Sequence, residues 1–222
     1  MNVQTADYLD AATHLPVGGR LTLHGVDWEE YEQLLVELGD RSHLRVSYSE
    51  GRLEIMSPSA KHEQYKNLMH DLVVILSDEM EQNVISFGSV TLKLEPRAKG
   101  AEGDDCFYIQ HAVAVAGKDR LNLANDPPPD LEIEIDLASE STNKFAVYAA
   151  LGVPEIWHYD GRYWQVLKLT GQTYEPTSFS QAFPFVSDAH LTEFVEQSER
   201  ESSFKARRTF RDWVRANKTV TS

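Results

Sequence analysis

Residues 127–161 read PPPDLEIEIDLASESTNKFAVYAALGVPEIWHYDG. Apolar and acidic residues alternate from 130 to 136, which predicts a strand because successive side chains of a strand point to opposite faces. A short helix follows over 143–152 and ends at a glycine. An Asp-Gly pair at 160–161 lies between two strand-like runs and predicts a β-hairpin. This stretch therefore supplies both strands and a helix in close succession.

The flanking sequence adds further elements of both kinds. Apolar residues spaced three and four apart predict helices over 28–38, 60–82 and 191–217. Strand-like runs occur as a hairpin over 44–55 and as segments at 84–96 and 105–109. Because the strands cluster in the middle of the chain and helices lie on both sides, we predict an α/β fold with a mixed central β-sheet flanked by helices.

Composition places limits on the class of protein. The 222 residues are 41% hydrophobic and 10% aromatic, as expected for a packed globular protein with one main core. The formal net charge of −14 counts against a passive nucleic-acid binder. It does not exclude a nuclease, because a metal-filled site supplies its own local positive charge.

The single cysteine and the N-terminal sequence indicate the compartment. Cys106 alone allows neither an internal disulfide framework nor a cysteine-rich zinc site, which favours a reducing environment. The first residues lack the basic and apolar regions of a signal peptide, and no apolar stretch reaches membrane-spanning length. We therefore expect a cytoplasmic protein with no membrane contact.

Four carboxylates, Asp130, Glu132, Glu134 and Asp136, share one face of the predicted strand. On the pattern alone, this face is best interpreted as a solvent-exposed surface opposite an apolar one. The alternative is a cation site, because neighbouring carboxylates repel each other unless a cation or a base lies among them. Mg²⁺ is held by such oxygens and retains several waters.

Two other acidic positions have similar alternatives. Asp104 lies in the acidic turn GAEGDD at 100–105, which on composition alone is a solvated loop. Glu54 lies in a predicted strand and shares a face with Arg52, where an exposed position is the simpler interpretation. Each is weak evidence for a site when taken alone.

One histidine and one lysine stand near these carboxylates in the sequence. His62 begins the long helix and could donate to a phosphate or a carboxylate, although first-turn histidines are more often partly exposed. Lys144 opens the helix after the acidic strand, where the positive end of the helix disfavours an unpaired lysine. A carboxylate cluster across the loop would remove that penalty.

The remaining constellation is a set of carboxylates with a lysine. The sequence contains no glycine-rich phosphate loop, no nucleophile motif and no dinucleotide fingerprint. Carboxylates with a lysine suit metal-assisted hydrolysis of a phosphodiester, in which the metal activates water and stabilises developing charge. The sequence therefore favours this reaction class.

Three blocks of the sequence resemble a known family. EGRLEIMSPSAKHE at 50–63, GAEGDDCFYI at 100–109 and the stretch at 127–161 match, in order and spacing, the Uma-two family of restriction endonucleases within the PD-(D/E)XK nuclease superfamily. The resemblance runs from about Trp28 to Leu169. It implies a restriction-endonuclease-like fold and a site that depends on Mg²⁺ or Mn²⁺.

The resemblance also assigns roles to particular residues. It implies that Asp104 and Glu134 are metal ligands, with Glu54 as a further ligand or base and His62 beside them. The superfamily lysine belongs two residues after the glutamate, where this chain has Asp136. Lys144 on the following helix is therefore expected to take its place.

Two further positions depart from the family pattern. Gly103 replaces the proline of the usual Glu-Pro-Asp run, and Glu132 occupies a position that is usually apolar. Glu132 therefore adds charge beside the site. Neither departure removes a residue of the expected ligand set.

Two functions from different classes follow from these observations. The leading interpretation is a Mg²⁺-dependent endonuclease that hydrolyses DNA phosphodiester bonds, with Glu54, Asp104, Glu134 and Lys144 as catalytic residues. The alternative is a catalytically inactive protein on the same scaffold that serves as a regulatory or interaction module.

The ends of the chain complete the sequence prediction. We expect an N-terminal arm over 1–26, a nuclease domain over 27–190 and a helical extension over 191–222. The extension carries basic residues from 205 to 218, which form either a DNA-facing patch or the solvated side of a packing helix. Because symmetric dimers are the commonest oligomers, a homodimer is a further expectation.

Overall fold

The structure is a computed structural model that describes residues 3–39, 43–137 and 142–218. Within these ranges the chain forms seven α-helices and eleven β-strands. The helices are α1 (Val3–Thr13), α2 (Trp28–Leu38), α3 (Ala60–Met80), α4 (Ala112–Val115), α5 (Thr142–Leu151), α6 (Asp188–Arg200) and α7 (Ser203–Asn217). The first six strands are β1 (Arg20–His24), β2 (Arg45–Ser49), β3 (Arg52–Met56), β4 (Ile85–Gly88), β5 (Thr91–Leu94) and β6 (Lys99–Glu102). The remaining five are β7 (Asp105–Tyr108), β8 (Leu131–Ile135), β9 (Glu155–Tyr159), β10 (Trp164–Thr170) and β11 (Thr173–Thr177).

A six-stranded mixed sheet forms the centre of the molecule. Its strand order is β11-β10-β9-β8-β7-β4. The pair β8 and β9 is parallel, and α5 makes the crossover between them, whereas the other pairs are antiparallel. Helices flank this sheet. The predicted α/β fold with a mixed central sheet is therefore confirmed.

A second sheet of five antiparallel strands was not predicted. Its order is β1-β3-β2-β6-β5, and it includes the predicted β2–β3 hairpin. Strand β1 lies in the segment expected to be an arm, and it pairs along the whole of β3. Helix α1 lies in the same segment. The expected division at residues 26 and 190 remains a prediction.

Helix α3 covers one face of the central sheet. The side chain of Ser59 caps its N-terminus by accepting the backbone N–H of His62 at 3.2 Å. The apolar stripe of α3 packs on the inward side chains of β8 and β9, as its sequence period predicts. Buried core residues here include Met69, Leu72 and Trp157.

The predicted C-terminal helix is two helices, α6 and α7, and both pack into the same core. Its basic residues face the carboxylates of α3. Arg207 lies 2.7 Å from Asp71, and Arg211 and Arg215 lie 2.7 and 2.8 Å from Glu79. These three arginines therefore attach α7 to α3, and the two interpretations of the basic segment 205–218 remain predictions.

The two sheets are joined where β6 passes into β7. Strand β6 belongs to the small sheet and β7 to the central sheet, and Gly103 and Asp104 are the two residues between them. Asp104 therefore lies at the junction of the sheets.

Among the residues that the structure describes, no helix is both long and apolar enough to cross a membrane.

Candidate active site

The acidic face of β8 is buried. Every residue of β8 is buried, and Glu132 and Glu134 are each 1% exposed. The apolar residues of β8 pack beneath α3, while α5 packs over the opposite side as part of the crossover to β9. The interpretation of this face as a solvent-exposed surface is therefore wrong, since the parallel connection brings a helix over it.

Asp104 is fully buried beside this face. Its Oδ2 accepts a hydrogen bond from the backbone N–H of Ile135 at 2.8 Å and lies 3.0 Å from Nε2 of His62. Its Oδ1 has no hydrogen-bond partner in the described part of the chain. Burial raises the pKa of Asp104, but the His62 hydrogen bond and the charge of Lys144 outweigh it and hold the pKa below its ordinary value.

Glu134 lies on β8 and is paired with two residues of α5. Nζ of Lys144 donates to its Oε2 at 2.9 Å and to its Oε1 at 3.2 Å. The hydroxyl of Tyr148 donates to Oε1. These residues are four apart on one face of the helix, so both reach the same carboxylate.

Burial and the contact between Glu134 and Lys144 together determine the pKa of each of these two residues. Burial raises the pKa of Glu134 to about 7, against the opposing effect of the Lys144 ammonium. Burial lowers the pKa of Lys144, but the carboxylates of Glu134 and Asp104 outweigh it and raise the pKa above its ordinary value. Lys144 is therefore a charged ammonium in direct contact with the carboxyl expected to bind metal.

His62 is 4% exposed, so the partly exposed alternative is wrong. The helix cap at Ser59 fixes the first turn of α3 and directs the imidazole at Asp104. Burial lowers the pKa of His62, but the Asp104 carboxylate outweighs it and raises the pKa. His62 therefore holds the Asp104 carboxylate in position, and the carboxylate in turn favours the protonated imidazole.

Glu54 approaches from the small sheet. Its carboxylate lies 3.1 Å from Arg20 and 3.4 Å from Arg52, which shares its face as predicted. It also lines a cavity of about 20 Å³ together with Lys144 and Arg45. A polar cavity of this size accommodates about one water molecule. Glu54 and Lys144 therefore face a common space, although Glu54 comes from strand β3 of the small sheet and Lys144 from helix α5.

Asp136 is near the group but has a different partner. Its Oδ2 lies 3.0 Å from Nε2 of His158, and its backbone N–H donates to Tyr159. The carboxylate contributes to the raised pKa of Lys144 from a distance. Asp136 is therefore at the edge of the site, while Lys144 occupies the place beside Glu134.

Glu132 is a third carboxyl on this face of β8. Its Oε2 has no hydrogen-bond partner in the described residues. Burial, together with the charge of Glu134, raises its pKa well above the ordinary value. Burial on β8 therefore favours the protonated form of Glu132 more than solvent would.

Sequence reasoning missed Arg45, the first residue of β2. Its side chain is 8% exposed and lies among Glu63, Glu102 and Asp104. Burial raises the pKa of Glu102 to about 7 despite this guanidinium. The alternation of the hairpin sequence places Arg45 on the face of β2 opposite the apolar one. It does not show which residues pack against the face that carries Arg45.

Two carboxylates of this group fit a divalent cation. Among the described residues, no three His, Cys, Asp or Glu side chains converge as a ready ligand set. Asp104 nevertheless presents an unpartnered buried oxygen close to Glu134. Because Mg²⁺ commonly takes one or two carboxylates and keeps its waters, these two residues suit such an ion.

Comparison with known protein families gives a match over most of the chain. The family model Uma2, described as "Putative restriction endonuclease", matches residues 28–197. No curated protein matches the chain. A solved structure, described as a putative nuclease belonging to DUF820 from Anabaena variabilis, aligns with a TM-score of 0.49 and 16% identity. That alignment covers 82% of this chain and 99% of the other.

Proposed function

The chain belongs to the Uma2 restriction-endonuclease family, and we propose that it is a divalent-metal-dependent endonuclease that hydrolyses phosphodiester bonds of DNA. The observation that carries this proposal is the buried contact of Lys144 with Glu134 beside Asp104. Metal-assisted hydrolysis of a phosphodiester needs carboxylates for the metal and a positive charge near the phosphate. The two carboxylates and the buried lysine at the junction of the two sheets are residues of these types.

Asp104 and Glu134 would hold Mg²⁺ or Mn²⁺ in this proposal. When bound, the ion supplies Lewis-acid stabilisation of the phosphate charge and lowers the pKa of a bound water. His62 holds Asp104 through Oδ2 and leaves Oδ1 available. Tyr148 and Lys144 hold the Glu134 carboxylate in one orientation.

Glu54 and Lys144 would act on the attacking water. Both line the cavity of about 20 Å³, which accommodates about one water molecule. The Glu54 carboxylate accepts a proton from that water, and the Lys144 ammonium orients it and stabilises the charge that develops on the phosphate.

The charge of the cavity supports an anionic substrate. Arg20, Arg45 and Lys144 line it with one carboxylate, that of Glu54. Three cationic side chains therefore line the cavity in a chain whose formal net charge is −14, although Lys144 and Arg45 also contact carboxylates outside the lining. Phosphate contacts need only such a local patch of positive charge.

The inactive-scaffold alternative rests on one observation. Both oxygens of Glu134 already accept hydrogen bonds, from Lys144 and Tyr148. A carboxylate that is satisfied by protein donors can be a structural element of the core. Calorimetric titration with Mg²⁺ separates the two functions, because a competent hard-oxygen site gives saturable binding and a structural pair gives none.

Nicking of supercoiled plasmid DNA tests the proposed activity. We expect conversion to open circles with Mg²⁺ or Mn²⁺, no conversion with chelator, and loss of conversion in Glu134→Gln and Asp104→Asn. The matched control is Glu196→Gln, an exposed carboxylate on α6 paired with Arg200. Nicking by Glu134→Gln at the wild-type rate would contradict the proposal.

The homodimer and the cytoplasmic location remain expectations from the sequence.

A further inference from the structure

We propose that Arg45 binds a non-bridging oxygen of the scissile phosphate, as a substrate-contacting residue that neither the family match nor the sequence motifs assign. The inference rests on the proposed nuclease function. It begins from the surroundings of the guanidinium, which is 8% exposed and lies at the junction of the two sheets.

The strand register explains why Arg45 faces the site. In the small sheet, Arg45 and Arg20 both pair with Met56, one from each neighbouring strand. Ser47 likewise pairs with Glu54 in the next row on the same face. The intervening residues of these strands point into the apolar core on the other side. Arg45 and Glu54 therefore project together towards Asp104 and Lys144.

The ion pairs of Arg45 are loose for a buried arginine. Nη1 lies 3.4 Å from Glu102, Nη2 lies 3.5 Å from Glu63, and Nε lies 3.9 Å from Oδ1 of Asp104. Charge-assisted hydrogen bonds of this kind are normally about 2.7–2.9 Å. None of the three carboxylates therefore holds the guanidinium in a bidentate pair.

Several atoms around this guanidinium lack hydrogen bonds. Nε of Arg45, Oδ1 of Asp104 and Oε1 of Glu63 are all buried and have no hydrogen-bond partner in the described residues. Only Nε of Arg45 is a donor among the three, and a buried donor without an acceptor is costly, so this atom suits an additional ligand with acceptor oxygens. Oδ1 of Asp104 is an acceptor, so it suits the proposed cation and not the phosphate.

A phosphate meets this requirement. The guanidinium presents a fixed fork of N–H donors that matches phosphate oxygens, and it stays charged when buried. Lys144 and Arg20 line the same small cavity as Arg45, so a phosphate bound next to this cavity would lie near three cationic side chains. Arg45 would thereby place the phosphate between Asp104 and the cavity that Glu54 shares.

The competing explanation is that Arg45 only neutralises buried carboxylates. Arg45→Lys separates the two explanations, because it keeps the charge among Glu63, Glu102 and Asp104 but loses Nε and the fork. Arg45→Gln removes the charge as well. The matched control is Arg200→Gln, an exposed arginine on α6 that is paired with Glu196.

The first measurement is nicking by the full chain, with thermal stability recorded for each variant. We expect Arg45→Lys to melt close to the wild type and to lose at least about tenfold in nicking rate. Arg200→Gln should match the wild type in both. An Arg45→Lys variant that nicks at the wild-type rate would overturn the inference while leaving the nuclease proposal intact.

The second measurement does not need cleavage. Binding of a DNA oligonucleotide in Ca²⁺ is followed against salt concentration, and loss of one phosphate contact lowers the slope of log K against log salt by about 0.7–0.9. We expect this decrease in Arg45→Gln and not in Arg200→Gln. An unchanged slope overturns the inference. An Arg45-dependent slope in a wild type that does not nick DNA shows that Arg45 contacts a backbone phosphate, but it contradicts the nuclease proposal and with it the assignment of that phosphate as the scissile one. A wild type that neither binds nor nicks DNA contradicts both.

Discussion

Oε1 of Glu132 occupies the space that any side chain at Gly103 would require. A Cβ placed on Gly103 would lie 1.6 Å from this oxygen and 2.9 Å from the Tyr148 hydroxyl. The family resemblance in the sequence leads us to expect a proline at position 103 and an apolar residue at position 132, where this chain has Gly103 and Glu132. The two positions are in direct contact, and the carboxyl of Glu132 fills the volume that a side chain at position 103 would need.

This relationship predicts a strong energetic coupling between the two positions. Gly103→Ala should destabilise the wild type by about 1–3 kcal/mol, because it overpacks a buried site. In the Glu132→Ala background the same change should cost much less, since the competing carboxyl is gone. Urea unfolding of the four proteins in the double-mutant cycle measures the coupling. Additivity within about 0.5 kcal/mol would show that the two positions are independent.

The burial of Glu132 also predicts the pH dependence of stability. Burial raises the pKa of this carboxyl well above its ordinary value in the folded protein. The folded state therefore holds a proton that the unfolded chain releases above the ordinary pKa, so stability falls as the pH rises towards the folded pKa. Glu132→Gln cannot ionise, so its stability relative to the wild type should increase as the pH rises from about 5 to about 8.

Urea unfolding in the presence of chelator, at about pH 5 and about pH 8, measures this difference. The control is Glu196→Gln, because Glu196 is exposed on α6 and far from the buried group in the sequence. Its stability difference from the wild type should be the same at both values. A Glu132→Gln variant whose stability relative to the wild type is the same at both pH values would contradict the raised pKa of Glu132.

The contact between Lys144 and Glu134 predicts opposite effects of single and double substitutions. Lys144→Met leaves the buried Glu134 without its cation, and breaking such a pair costs about 3–5 kcal/mol. The double variant Lys144→Met with Glu134→Gln removes both charges and should recover most of that loss. Nicking should fall by about 10²–10³ or more in both variants, because the positioned charge is absent in each. Recovery of activity together with stability would refute the catalytic role of Lys144.

The sequence predicted the parts of the fold that depend on local pattern. The helix periods, the hairpin at 44–55 and the relation of Glu134 to Lys144 all lie within short stretches of chain. It failed where distant strands decide the environment. The alternation in β8 separates two faces but does not show that α5 covers the acidic one. Strand β1 and the position of Arg45 depend likewise on pairing with β3 across the small sheet.

The hydroxyl of Tyr148 predicts a change in the pH profile of nicking. Burial raises the pKa of Glu134 to about 7, and the hydrogen bond from Tyr148 opposes that rise. Tyr148→Phe removes the donor, so the pKa of Glu134 should increase further. Because the ionised carboxylate is the form that holds a cation, activity should still rise with pH, but its midpoint should move to higher pH. Tyr174→Phe is the matched control, since this hydroxyl donates to the backbone carbonyl of Val153. An identical midpoint in Tyr148→Phe and the wild type would show that the hydroxyl does not control Glu134.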